Sequence, residues 1–155
     1  MEAQYPNLIQ VPVPLYRVRF SAFTKQAPFQ VDGWSSLAGK RVGYYRGIKA
    51  IEMNVQGLTT DVAATQPLLY QKLLWGRTDV IVDERLTARY TIREMGLTDI
   101  HELKPELASM FTYHYVNKSH ADLVPKLTAV LKDMAEHHEI EQMTAREAAK
   151  LKLDD

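Results

Sequence analysis

The chain has 155 residues, and its 19 basic and 19 acidic side chains give a formal net charge of zero. This length can bury the core of one compact domain, and the balanced charge lacks the basic stripe of nucleic-acid-binding proteins. Cysteine is absent, which excludes disulfides, thiolate nucleophiles and zinc–thiolate sites.

The first predicted segment, residues 1–34, combines an extended arm with one strand. Three prolines within residues 5–14 favour a non-helical arm. From Tyr16 to Thr24, bulky residues alternate with charged or small ones, which is typical of a strand. Residues 26–33 are predicted to form a loop.

The second predicted segment, residues 35–108, reads as a series of α/β units. Its first half contains Leu37-Ala38-Gly39-Lys40-Arg41-Val42-Gly43-Tyr44-Tyr45-Arg46-Gly47. The predicted elements here are a helical turn capped by Ser35 or Ser36 and ending at Gly39, a strand over 40–45, a tight turn at Arg46-Gly47, a helix from Ile48 to Val55 and a weak strand from Leu58 to Ala63.

The second half of this segment contains Leu73-Leu74-Trp75-Gly76-Arg77-Thr78-Asp79-Val80-Ile81-Val82-Asp83. Thr65 is a good N-cap, and Pro67 falls in the first turn of a helix that ends at Gly76. A strand over Asp79–Asp83 and a helix from about Glu84 to Met95 follow, and Ile100 to Leu103 forms a short strand or loop. Helices alternating with strands predict an α/β fold with a mainly parallel sheet.

The third predicted segment, residues 109–155, holds a strand and two helices. Aromatic residues favour a strand from Phe111 to Asn117. Apolar residues at helical spacing predict a helix capped by Asp122, and a polar helix follows over about 140–151. The apolar stripe consists of Leu123, Leu127, Val130, Leu131 and Met134.

Three segments, in order, resemble the type 2 solute-binding proteins of bacterial uptake systems, especially the amino-acid-binding branch called family 3. They are the Leu37–Gly43 entry, the Gly76–Asp83 helix–strand junction and the tail Asn117–Leu127. The resemblance covers most of residues 8–145. It implies a lobe of α/β type with a mainly parallel sheet flanked by helices, plus crossing strands and C-terminal helices.

The resemblance also implies a ligand site at the carboxyl ends of the strands. In relatives, an aspartate at the position of Asp83 pairs with the ligand's ammonium group. The alternative is that Asp83 caps the following helix. A glycine followed by threonine holds the ligand carboxylate in relatives. Here Gly47 is followed by Ile48, which has no hydroxyl, so only backbone donors with Arg46 or Lys49 remain, and an ordinary turn is the alternative.

Tyr44 and Tyr45 point to opposite faces of one strand, so one is expected in the core and the other, taken as Tyr44, in the cleft. Catalysis is disfavoured because Asp83 has no positioned base and the five histidines show no metal-ligand spacing. We expect no cofactor and no metal.

The expected function is therefore non-catalytic binding of a small polar ligand such as an amino acid, with membrane subunits of an ABC transporter as partners. A ligand-free structural or regulatory domain is the alternative. The resemblance implies a periplasmic location, although Met1–Pro6 does not read as part of a signal peptide. Relatives have two lobes, and the first part of their lobe 1 has no counterpart before residue 8 of this sequence. The apolar stripe of the helix at 123–134 therefore lacks its usual packing partner. Because a second copy could cover it, we predict a homodimer.

Overall fold

The computed structural model describes residues 5–153, and the chain divides into two compact units. The α/β unit spans Arg19–Ser109, and the terminal unit combines the chain up to Val18 with the chain from Met110 onward. Strand β1, Leu8–Thr24, runs from one unit into the other. The predicted first segment, residues 1–34, is therefore shared between the two units.

The α/β unit is built on a sheet with the strand order β3-β2-β4-β1-β5. Strand β2 pairs parallel with both β3 and β4, whereas β1 pairs antiparallel with β4 and β5. The predicted α/β class, with a mainly parallel sheet flanked by helices, is confirmed. Its elements after β1 are β2 Val42–Tyr45, α1 Lys49–Asn54, β3 Thr60–Ala63, α2 Gln66–Leu74, β4 Val80–Glu84, α3 Arg85–Glu94 and β5 His101–Glu102.

Helix α2 follows its sequence signals closely. The hydroxyl of Thr65 accepts a hydrogen bond from the backbone N–H of Leu68, as an N-cap does. The chain leaves the helix at Gly76, whose φ of 68° favours glycine. Leu69 and Leu73 are buried against the sheet, which fixes the helix over the strands that carry the candidate site.

Gly43 in β2 is required by close packing. A Cβ atom there would lie 3.0 Å from side-chain carbons of Ile81, Leu69 and Thr78. The absence of a side chain at this position lets α2 approach the sheet. Any larger residue would have to displace three core neighbours.

Two ion pairs connect separate parts of the α/β unit. Asp79 accepts hydrogen bonds from the backbone N–H and the guanidinium of Arg41, which lower the pKa of Asp79. Lys72, buried on α2, donates to the carboxylate of Asp61 and to the carbonyl of Val62. Both pairs link residues that are distant in sequence.

In the terminal unit, the first part of β1 pairs with β6, Ala108–Asn117. The predicted arm and first strand form one strand, and the exposed Pro12 and Pro14 alternate with the buried Val11 and Val13. The helices that follow are α4, Leu123–Glu136, and α5, Glu139–Lys150.

The apolar stripe of α4 stays accessible in the terminal unit. No residue of α4 is buried, and Leu123 and Val130 are 40% and 57% exposed. Within residues 5–153, no helix is both long and apolar enough to cross a membrane.

One predicted cap is wrong, and a second is right in position but makes no capping bond. The turn at Trp34–Leu37 begins after Gly33 without a side-chain cap, because the hydroxyl of Ser36 donates to the carbonyl of Gly33 instead. Asp122 does precede α4, but its own backbone is helical, and its side chain makes no capping bond. Trp75, the residue before Gly76, is 63% exposed and lies outside the core.

Candidate functional site

The carboxyl ends of β2 and β4 bring the predicted site residues to one edge of the α/β unit. Parallel pairing sets Gly43 opposite Ile81, so the register continued by two residues brings Tyr45 level with Asp83. Open α/β sheets bind ligands just beyond such strand ends. The side chains that follow these two strands therefore form the candidate site.

Asp83 lies at the predicted strand end, but its side chain is held inside the unit. The residue is fully buried. Oδ2 accepts hydrogen bonds of 2.7 Å from Gln66 Nε2 and 3.0 Å from the Tyr70 hydroxyl. Oδ1 accepts a bond of 2.8 Å from the backbone N–H of Glu84. Each carboxylate oxygen thus already has a donor from the protein.

Burial dominates the proton affinity of this carboxyl group. Removal from water raises the pKa of Asp83 to about 6, although the three hydrogen bonds oppose the shift. The same burial, together with the nearby Asp83, raises the pKa of Tyr70. Near neutral pH the site therefore presents an ionised but readily protonated carboxylate beside a neutral phenol.

Asp83 does not cap α3, so that alternative is wrong. The N-cap is the next residue, Glu84, whose carboxylate accepts from the backbone N–H groups of Leu86 and Thr87. β4 extends through Glu84, which puts the strand-to-helix transition one residue later than the sequence suggested. Asp83 is left without a capping role.

Two backbone donors of the turn at residues 46–48, the N–H groups of Arg46 and Gly47, bond within the protein. The N–H of Arg46 donates to the carbonyl of Ala63 at 3.1 Å, which extends the pairing of β2 with β3. The N–H of Gly47 donates to Glu52 Oε1 at 2.9 Å, and Lys49 Nζ lies 2.9 Å from Glu52 Oε2. Gly47 has a φ of 102°, which explains why glycine stands at this turn.

Ile48 precedes the first residue of α1 and contributes no side-chain cap. Tyr44 and Tyr45 are both half-buried, and Tyr45 packs against the core cluster next to Asp83. Burial, with Asp83 and Glu84 nearby, raises the pKa of Tyr45. Ligand contact by Asp83, Arg46, Gly47, Ile48, Tyr44 and Lys49 stays a prediction.

Sequence reasoning missed three side chains of this edge, namely Gln66, Tyr70 and Glu52. Gln66 and Tyr70 are four residues apart on α2 and so share one face of the helix. That spacing could have indicated a shared polar contact, because it puts the polar Gln66 on the same helix face as the buried Tyr70. Glu52 gave no signal, since its bond to Gly47 depends on the shape of the turn.

In the part of the chain that the structure describes, no group of three or more histidine or acidic side chains is arranged to hold a metal ion.

Solved structures with the same fold are similar to the chain over most of its length. One is the GluR0 ligand-binding core in complex with L-glutamate, with a TM-score of 0.81 and 11% identity. This match covers 93% of the present chain and 65% of the GluR0 chain. For holo ArgBP from T. maritima, the TM-score is 0.68 with 21% identity, over 87% of this chain and 60% of that one. The fold is that of a type 2 periplasmic binding protein.

A third neighbour is a histidine kinase sensor domain with similarity to periplasmic binding proteins. Its TM-score is 0.69 with 22% identity, over 88% of this chain and 62% of that one. An uncharacterised protein of Shewanella oneidensis is 26% identical over 96% of this chain and 58% of its own length. No protein-family model matches. The chain thus spans roughly 60% of the length of these relatives. The three structural neighbours are two binding proteins and a sensor domain.

Proposed function

We propose that the α/β unit supplies the ammonium-binding part of a site for a small polar solute such as an amino acid, without catalysis. The observation that supports this is Asp83 at the carboxyl end of β4, where its carboxylate accepts a hydrogen bond from the Tyr70 hydroxyl. A carboxylate shielded from water pairs strongly with a primary ammonium group. ArgBP and the GluR0 core, which share the fold, bind arginine and glutamate in the structures compared.

Binding requires a rearrangement of the donors around Asp83. An ammonium group would take the place of the Gln66 amide, which lies only 2.7 Å from Oδ2. Gln66 is half-buried at the first turn of α2, so its side chain has a route outward. Because one lobe encloses only part of a ligand, we expect a Kd on the order of 1 mM, or about −4 kcal/mol.

Calorimetric titration with the standard amino acids and simple amines at pH 7.5 tests this proposal. Asp83→Asn should weaken binding by about 10-fold or more, because a hydrogen bond to a charged group contributes about 1.5–3 kcal/mol. Asp99→Asn is the matched control, because the side chain of Asp99 is 60% exposed. Equal affinity of the wild type and Asp83→Asn would refute the role of Asp83.

The cellular setting belongs to the same proposal. We place the protein in the periplasm, where it would deliver its solute to the membrane subunits of an ABC uptake system. Fractionation of cells expressing the native gene should recover it in the periplasmic fraction. Copurification with transporter membrane subunits would support the delivery role, and recovery from the cytoplasm alone would contradict it.

We further propose that two copies associate through the apolar stripe of α4. The support is the exposure of Leu123 and Val130 together with a net charge of zero, which removes long-range repulsion between copies. Light scattering at micromolar concentration should give a dimer mass for the wild type and a lower mass for Val130→Lys. A monomeric wild type would reject this association.

One observation favours a second function, that of a ligand-free regulatory or structural domain. Asp83 and the Gly47 N–H both have protein partners already, so the site is satisfied without a ligand. The sensor-domain neighbour belongs to a signalling protein of this fold. If the wild type shows no binding heat with any amino acid or amine in the calorimetric titrations, this second function is favoured over solute binding.

A further inference from the structure

The carboxylate of Glu52 occupies the turn that sequence analysis assigned to a ligand anion. Its Oε1 lies 2.9 Å from the backbone nitrogen of Gly47, and its Oε2 lies 2.9 Å from Lys49 Nζ. The bond from Gly47, followed by that from Lys49, lowers the pKa of Glu52. Glu52 is therefore ionised at neutral pH and acts as an internal anion at this turn.

Glu52 thus takes the N–H of Gly47, the glycine at which the resemblance places the ligand carboxylate. The N–H of Arg46 is bonded to the carbonyl of Ala63, and Ile48 has no hydroxyl. Lys49 faces Glu52. The side chain of Arg46 is exposed to water, where charge interactions are weak.

Two further carboxylates, those of Asp83 and Glu84, stand at the end of the neighbouring strand β4. β2 and β4 end side by side, so the turn that Glu52 closes lies at the same sheet edge as Asp83 and Glu84. The phenol hydroxyls of Tyr45 and Tyr70 are neutral. Three carboxylates at one edge attract a cation and repel a ligand carboxylate.

We propose that Glu52 is a specificity-determining residue that makes the site select small organic amines without a carboxylate over the matching α-amino acids. This inference rests on the proposed solute-binding function. An amine needs only Asp83 and the neighbouring hydroxyls. An amino acid must also displace Glu52 from Gly47 or leave its own carboxylate unpaired beside three others, and such a built-in repulsion discriminates between ligands.

The test uses ligand pairs that differ by a single carboxylate: cadaverine with lysine, putrescine with ornithine, and agmatine with arginine. Calorimetry at pH 7.5 compares the wild type with Glu52→Ala, which removes the bond and the charge, and Glu52→Gln, which keeps an acceptor but removes the charge. Glu94→Gln, at an exposed position of α3, is the matched control. Glu52 is partly exposed in a surface turn, so its variants should fold, and circular dichroism checks this.

The wild type should bind each amine at least 10-fold more tightly than its amino acid. Glu52→Ala should reduce that ratio at least fivefold by tightening the amino acid, Glu52→Gln should give an intermediate ratio, and Glu94→Gln should leave it unchanged. Tighter binding of the amino acids by the wild type, still abolished by Asp83→Asn, would overturn the role of Glu52 alone. Failure of both ligand classes to bind would overturn the proposed function, and this inference with it.

Discussion

Replacement of Asp83 by asparagine tests the physical state of the site without any ligand. Burial sets the pKa of Asp83 at about 6 in the folded protein, against an ordinary value of 3.8. The folded protein therefore binds more protons than the unfolded chain between these two values. Linkage then requires the free energy of unfolding of the wild type to fall as the pH rises through this window.

The size of the change in unfolding free energy follows from the pKa shift of Asp83. Each pKa unit corresponds to about 1.4 kcal/mol, so the wild type loses about 3 kcal/mol between roughly pH 4 and pH 7 from this one group. In the Asp83→Asn variant the side chain cannot ionise, so this loss of unfolding free energy does not occur. The difference in unfolding free energy between variant and wild type should thus move by about 3 kcal/mol in favour of the variant over that range.

Urea unfolding at a series of pH values, followed by tryptophan fluorescence, measures this difference. Both tryptophans, Trp34 and Trp75, lie in the α/β unit and report on its unfolding. Asp99→Asn, at an exposed position, should run parallel to the wild type. Parallel curves for Asp83→Asn and wild type between pH 4 and pH 7 would refute the claim that Asp83 is a buried, raised-pKa carboxyl group.

Three further changes test the packing that positions the site. Asp79→Asn should destabilise the fold by about 1 kcal/mol in urea titrations at pH 7, a value limited by solvent screening of its pair with Arg41. Because the pKa of Asp79 is lowered in the folded protein, this loss should shrink as the pH falls from 3.8 through the lower folded-state pKa; a loss that grows over that range contradicts it. Gly43→Ala should cost about 1–3 kcal/mol by overpacking, and an unchanged melting temperature refutes the tight contact. Lys72→Met should cost about 2 kcal/mol, because Asp61 would keep only its longer contact with Arg77. A neutral effect in the same titration would show that the pair of Lys72 with Asp61 adds nothing.

Local sequence signals predicted most of the fold. The Thr65 cap and the glycine at 76 fix the ends of α2, because capping and positive-φ preferences act within one turn of chain. The apolar run before Asp83 predicted a buried strand ending at the candidate site. The resemblance to solute-binding proteins added the topology, and the neighbours confirm that fold.

The details of the site depend on contacts that local patterns do not encode. The burial of Asp83 follows from α2 packing over the sheet, which brings Gln66 and Tyr70 to a carboxylate 17 and 13 residues away. The bond from Gly47 to Glu52 depends on a left-handed turn conformation. Similarly, the arm and first strand merged into β1 because β6 offered a pairing partner far along the chain.

The most direct test of the account is the titration of the Asp83 carboxyl group by carbon-detected nuclear magnetic resonance, with and without a saturating amine such as cadaverine. The account predicts a pKa near 6 in the free protein and a fall of at least one unit with the amine bound, because an adjacent ammonium favours the ionised form. An Asp83 titration that the bound amine leaves unchanged would contradict the claim that this carboxylate receives the ligand.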